Sequence, residues 1–150
     1  MTAQIPDPDR RAWLGLLATA PAERLKALWA AAGLDPDVTL LRAPEIGAVM
    51  VRGRTGGTGA PFNLGEMTVA RCSVRLPGGA VGHGYVQGRD RDAARLAATI
   101  DALMQTDAAP DLRRAVLDPL AAERAQAKQA RAAKAAATKV EFFTLVRGED

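Results

Sequence analysis

The sequence predicts an α+β fold: a four-stranded, mainly antiparallel sheet with helices packed on one face, plus a long Ala-rich C-terminal helix. Three observations predict it. Apolar residues recur at helical spacing before Gly33 and again after Asp90. Strand-like runs cluster between Val38 and Gln87 and are joined by breaker-rich turns, which favours antiparallel pairing. Ten alanines fall between Ala121 and Ala137, and alanine has the highest helix propensity. The organisation expected is an α+β domain over residues 1–118 and a C-terminal helical arm with a docking tail over 119–150.

Asp7-Pro8 reads as a cap followed by proline at the first helical position. Trp13, Leu14, Leu16 and Leu17 form the apolar face of the helix it starts. Pro21 opens a second helix carrying Leu25, Leu28 and Trp29, with Gly33 as its left-handed stop. Asp35-Pro36-Asp37 is a turn. Strands are expected at Val38–Ala43, Ile46–Arg52, Met67–Leu76 and Ala80–Gln87, with Arg54–Glu66 as a loop and Pro77-Gly78-Gly79 as a hairpin turn. In the third run Ala70, Cys72, Val74 and Leu76 alternate with Arg71, Ser73 and Arg75, which puts the two sets on opposite faces. Asp90 caps a helix to about Gln105 whose buried face is Leu96, Ile100 and Leu103. Val116 and Leu117 form a short apolar patch that could be extended. Asp118-Pro119 repeats the cap-plus-proline signal and starts the alanine helix. Thr138 and Glu141 have capping-box spacing, yet the alternation after them also suits a strand.

With 150 residues and 48% hydrophobic content the chain can build one core, but only 4% is aromatic and much of the apolar share is alanine. Burying methyl groups stabilises little per residue, which favours a chain that docks onto larger partners. One cysteine, Cys72, excludes an internal disulfide and fits a reducing compartment. The N-terminus has acidic residues where a signal peptide would be basic and then apolar, and no run approaches membrane-spanning length. A cytoplasmic location is expected, with no membrane partner.

Eleven of the fourteen glycines lie between Gly47 and Gly88, and seven arginines between Arg42 and Arg91 face only Glu45, Glu66 and Asp90. Successive glycines let amide N–H groups converge on an anion, and guanidiniums pair with phosphate oxygens. The phosphate- or substrate-contact candidates are Arg52, Arg54, Gly56, Gly57, Thr58, Gly59, Arg71 and Arg89. The pattern is neither a P-loop nor a dinucleotide fingerprint. A hairpin loop with solvated arginines explains the same residues, and both readings are open.

No catalytic set emerges. His83 is the lone histidine, without a second ligand at metal spacing, so no metal site is expected. A stand-alone hydrolase would need His83 and Cys72 in contact within a cleft. A free-standing basic nucleic-acid-binding module is the alternative that Arg124, Lys128, Arg131, Lys134 and Lys139 suggest. No aromatic residue interleaves with that basic stripe, which counts against nucleic acid. Phe142, Phe143, Leu145, Val146 and Arg147 are the partner-docking candidates, because exposed apolar residues in a row need cover.

Several stretches in order resemble one family. They are Arg42-Ala-Pro-Glu-Ile-Gly47, Arg54-Thr-Gly-Gly-Thr-Gly59, Phe62, Gly65-Glu66, the strand through Arg71 and Val74-Arg75, Val86-Gln-Gly-Arg-Asp90, and Val140-Glu-Phe-Phe-Thr-Leu-Val-Arg-Gly148. Together they are similar to the PhnG family, the small subunit of the bacterial carbon–phosphorus lyase core complex. The resemblance implies an accessory, non-catalytic subunit of a multi-subunit transferase. That enzyme displaces adenine from ATP with methylphosphonate and yields α-D-ribose 1-methylphosphonate 5-triphosphate. It implies partners of the PhnI, PhnH and PhnJ types and a PhnL-like ATPase component. No cofactor is bound by this chain itself; the complex uses ATP.

Overall fold

The structure, a computed structural model, describes residues 8–139. Helices α1 (Pro8–Thr19) and α2 (Ala22–Ala32) come first. Strand β1 (Thr39–Arg54) leads through a single tight turn (Thr55–Gly57) into β2 (Pro61–Arg75), and β3 (Val81–Gln87) follows. Helices α3 (Arg91–Leu103), α4 (Ala109–Leu112) and α5 (Asp118–Ala137) complete the chain, with one wide helical turn at Arg113–Leu117 between the last two. The sheet is antiparallel in the order β1-β2-β3.

The sheet therefore has three strands, not the four expected. The two runs Val38–Ala43 and Ile46–Arg52 are one continuous strand. Pro44 and Glu45 do not reverse the chain; they are absorbed by irregularities between Leu40 and Arg42 and between Arg42 and Glu45. β1 is an edge strand, where proline's missing N–H costs least, and bulges are commonest at edges. The loop expected over Arg54–Glu66 is likewise shorter. Arg54 pairs with Pro61, Gly53 with Phe62 and Met50 with Glu66, so only the tip turns.

Several expected stops are present. Gly33 has φ 64° and its N–H donates to Ala30 O, ending α2. Leu76 N donates to Ala80 O at 2.9 Å across the 77–79 turn, with Gly79 at φ 92°. The Asp90 carboxylate accepts from Ala93 N at 2.9 Å, capping α3. Asp118 is no cap. The backbone runs helically from Ala109 through Leu117 into α5, and Val116 and Leu117 are buried helical residues. A wide turn just before Pro119 accommodates the proline ring and its missing donor.

The core lies between the sheet and the helices. Leu17, Leu25, Val74, Ile100, Leu112 and Val116 are its largest fully buried apolar side chains. Burying each contributes roughly 1.5–3 kcal/mol. The buried face of α3 differs from expectation. Its buried residues are Ala93, Ala94, Ala97, Ala98, Ile100 and Ala102 with the polar Thr99 and Asp101, while Leu96 and Leu103 are only half-buried. The reason is on the facing strand. A Cβ on Gly82 would sit 1.9 Å from Ala98 O, and one on Gly84 would sit 2.2 Å from Ala94 O. Small residues on both sides let helix and strand approach backbone to backbone.

Candidate functional site

β3 pairs only with Val69–Arg75 of β2, so the rest of β2 pairs with β1 alone. Beyond Val69 the two strands form a ribbon projecting past the third strand. At its tip Gly56 and Gly57 have φ 59° and 83°, conformations that favour glycine. Gly59 N donates to Thr55 O at 2.8 Å, and a Cβ on Gly59 would sit 2.6 Å from that oxygen. The turn thus accounts for these glycines, and one of their N–H groups is spent inside it. Arg54 Nη1 donates to Gly59 O at 3.1 Å and braces the turn. Arg52, Arg54 and Thr58 are exposed beside it.

The structure does not bring all the candidates together. Arg52 and Arg54 flank the glycine turn, but Arg71 pairs with Glu45, seven residues back along β1 from Arg52. At about 3.3 Å per residue that places Arg71 roughly 20 Å or more away. Arg89 is exposed after Gly88, whose N–H donates to Thr68 O at 3.0 Å, midway between them.

On the sheet face turned away from α3, Arg71 and Ser73 of β2 are half-buried and Arg75, His83 and Tyr85 are exposed. Across it Glu45, Arg71 and Tyr85 stand in one row on the three strands. Arg71 Nε donates to Glu45 Oε1 at 2.7 Å, and this bond, ahead of Tyr85, holds the guanidinium above its ordinary pKa. In the next row Ser73 Oγ and His83 Nδ1 share a hydrogen bond at 2.9 Å. Further out, the Phe62 ring lies 3.5 Å from where a Gly53 Cβ would be, and the Leu64 Cβ lies 3.8 Å from it. Alternation along β1 puts Gly47, Val49, Val51 and Gly53 on this same face, where the Arg71 guanidinium lies 3.6 Å from a Cβ position on Gly47.

Cys72 faces the other way. It is buried beneath the helices, its Sγ donates to Arg42 O at 3.3 Å, and burial pushes its thiol pKa up. Cys72 pairs with Gly84 and Ser73 with His83, so Cys72 and His83 lie on opposite faces of the sheet. That removes the His–Cys contact a stand-alone hydrolase requires. Among the described residues no three His, Cys, Asp or Glu side chains gather as a metal site.

One polar cluster escaped the sequence reading. Asp101 on α3 is fully buried and accepts from Arg10 Nη2 at 2.7 Å, Arg10 Nε at 3.0 Å, Trp13 Nε1 at 2.9 Å and His83 N at 2.9 Å. It ties α1, α3 and the free edge of β3 together. Hydrogen bonding to Asp101 raises the Arg10 pKa despite partial burial. The available signal was an aspartate beside Ile100 on an otherwise apolar helix face, with an arginine and a tryptophan three residues apart on α1.

α5 is the second projection. Leu120 is its one buried residue, and the helix is exposed from Ala121 onward except at half-buried Glu123. Arg24 of α2 pairs with Glu123 at 2.7 Å and anchors the helix base. A groove of about 460 Å³ runs between α1 and α5, with Trp13 and Leu16 on one wall and Arg124 and Lys128 on the other. The docking candidates Phe142, Phe143, Leu145, Val146 and Arg147 lie outside the described residues. Among the described residues no helix is long and apolar enough to cross a membrane.

Fold and surfaces define the class: a small two-layer α+β domain with two projections, a β-ribbon and a helix, whose residues are mostly exposed. A family model described as "Phosphonate metabolism protein PhnG" matches residues 8–148. A protein of Rhizobium meliloti (strain 1021) is 48% identical over 142 residues, spanning 95% of this chain and 91% of that protein. It is named alpha-D-ribose 1-methylphosphonate 5-triphosphate synthase subunit PhnG. The chain belongs to the PhnG family of phosphonate metabolism proteins.

Proposed function

We propose that this chain is an accessory subunit of an alpha-D-ribose 1-methylphosphonate 5-triphosphate synthase. The observation that carries the reading is the 48% identity, across 95% of the chain, to a protein named as that subunit. In the reaction a phosphonate oxygen bonds to the ribose C1′ of ATP, the bond from C1′ to adenine breaks, and adenine leaves. The ATP is a substrate of the assembled enzyme rather than a cofactor of this chain. A larger PhnI-type subunit carries the displacement, with PhnH- and PhnJ-type chains and a PhnL-like ATPase component in the same cytoplasmic system.

The side chains support a contact role. The Glu45–Arg71 pair, the Ser73–His83 pair and the buried Asp101 are each engaged with neighbours in the fold. Cys72 is buried and kept as a thiol. Both substrates are polyanions. Arg52 and Arg54 beside Gly56–Gly59 are the groups that can offer them positive charge from the ribbon tip; Arg71 is committed to Glu45 at 2.7 Å. The C-terminal segment with Phe142 and Phe143 supplies apolar side chains suited to a partner's groove.

Co-expression with the other synthase subunits and size-exclusion chromatography test this reading. The chain is expected to elute with the PhnI-type subunit. Elution of the two as separate species at micromolar concentration would contradict it.

A further inference from the structure

Ser73 stands at the centre of a cross of hydrogen-bond donors on the sheet face turned away from α3. Arg42 of β1 pairs with it on one side and His83 of β3 on the other. Arg71 and Arg75 flank it along β2 on the same face. Tyr85, opposite Arg71, is its diagonal neighbour on β3, a separation that aromatic and long side chains span. Ser73 is half-buried, and Arg42, Arg75, His83 and Tyr85 are exposed around it. Acceptors are scarce here. Among the described residues, Glu45 is the one acidic side chain that the strands place on this face, and it is shared. Arg71 Nε lies 2.7 Å from Glu45 Oε1, and Arg42 Nε lies 3.5 Å from the same oxygen. One carboxylate between two guanidiniums leaves a positive charge over. Arg75 adds another and makes no ion pair among the described residues. The 2.9 Å bond between Ser73 Oγ and His83 Nδ1 leaves the ring's Nε2 available to a ligand. Guanidiniums gathered in this way repel one another, and an anion that accepts from them relieves the repulsion.

We infer that this cross is a binding site for a tetrahedral phosphorus oxyanion, a phosphate or phosphonate group. Arg75, the Ser73 hydroxyl, His83 Nε2 and the Tyr85 hydroxyl supply the donors, while Arg71 stays with Glu45. The donors come from two strands and surround Ser73 rather than lying in one plane, which suits an acceptor carrying three oxygens on one centre. The site lies at the opposite end of the sheet from the glycine turn, so it is separate from Arg52 and Arg54. It is built from this chain alone, and the full chain by itself is enough to test it.

His83 is the single histidine of the sequence, so its ring C–H resonances in proton NMR report on the site without ambiguity. The full chain is titrated with methylphosphonate, inorganic phosphate and ATP at fixed pH and ionic strength, with chloride as the blank. The His83 signals are expected to move and to saturate at about 1 mM anion, the affinity that a few charge-assisted hydrogen bonds support. Ser73→Ala and Arg75→Gln are each expected to weaken binding at least about tenfold. Arg131→Gln removes the same charge from an exposed position on α5 and is expected to leave binding unchanged. Thermal melting shows whether each variant is folded; should Ser73→Ala not fold, the exposed Arg75→Gln decides. Saturation by the two small anions supports the inference with a free phosphate or phosphonate as ligand. Saturation by ATP alone supports it with the terminal phosphate of a nucleotide. A linear drift shared with chloride overturns it, the arginines then being merely solvated. Equal weakening by Arg131→Gln overturns it as well, because the anion then responds only to net charge. A ring signal that moves with none of the anions, but moves when the PhnI-type subunit is added, also overturns it, since the face then meets a protein surface instead.

Discussion

The Asp101 carboxylate, with no solvent exposure, grips the Arg10 guanidinium through two hydrogen bonds of 2.7 and 3.0 Å, joining α3 to α1 across 91 residues of sequence. A buried carboxylate is stable only when its lone pairs are filled, and here Trp13 Nε1 and His83 N complete the set. Asp101→Ala leaves three donor groups without their acceptor. It is expected to cost about 3 kcal/mol or more, because the lost partner was a charge. Urea denaturation measures this as a lower midpoint with little change in slope.

Gly82 and Gly84 set how closely β3 approaches α3. Alanine at either position would drive a methyl carbon to 1.9 or 2.2 Å from a helix carbonyl oxygen, and backbone cannot move aside cheaply. Each substitution is expected to destabilise by about 3 kcal/mol or more, at or beyond the usual range for overpacking. Thermal melting checks it. Gly65→Ala is the comparison and is expected to be mild, since nothing lies within 4 Å of a Cβ there.

Those two glycines mark where the sequence was read too narrowly. The glycines from Gly47 to Gly88 form one cluster in sequence, open to an anion-binding or a hairpin-loop reading at 56–59, yet they do separate things. Gly56 and Gly57 adopt positive φ at a tip, Gly59 lets the turn close on Thr55 O, and Gly82 and Gly84 admit a helix. Local punctuation was legible because its causes are local: Gly33 ends α2, Asp90 caps α3 and the 77–79 segment turns. The strand count was not, because whether Pro44 breaks or bulges a strand depends on its place at the sheet edge. Asp118 misled similarly, since a proline-compatible wide turn replaced a cap. The candidate site was legible in part. Arg52 and Arg54 do flank the glycine turn, while Arg71 belongs to a different row of the sheet.

The Asp90 carboxyl links α2 to α3 and has a signed pH consequence. Lys26 Nζ, 2.7 Å away, and then Ala93 N hold its pKa below the ordinary 3.8. The unfolded chain therefore takes up this proton first as pH falls. The stabilisation is present above about pH 4 and is lost as pH drops through the folded pKa. Asp90→Asn keeps a capping side chain but removes the charge. The variant is expected to be less stable than the parent at pH 7, with the gap closing in acid. Denaturant midpoints of both proteins from pH 7 to pH 2.5 follow the difference.

If Arg52 and Arg54 offer charge to the polyanionic substrates, as proposed, replacing them separates turnover from assembly. Arg52→Gln with Arg54→Gln removes two positive charges at the ribbon tip. Adenine release by the assembled synthase is expected to fall about tenfold or more, since a hydrogen bond to a charged group contributes about 1.5–3 kcal/mol. Exposed charges affect on-rate more than affinity, so co-elution is expected to persist. Arg71→Gln, which breaks the bond to Glu45 instead, is expected to leave release nearly unchanged.

The most direct measurement is adenine release from ATP in the presence of methylphosphonate, with the other synthase subunits held constant and this chain added or omitted. The account predicts that release depends on the chain, reaches a plateau at one chain per PhnI-type subunit, and is absent with the chain alone. Full release without it would contradict the proposed subunit role.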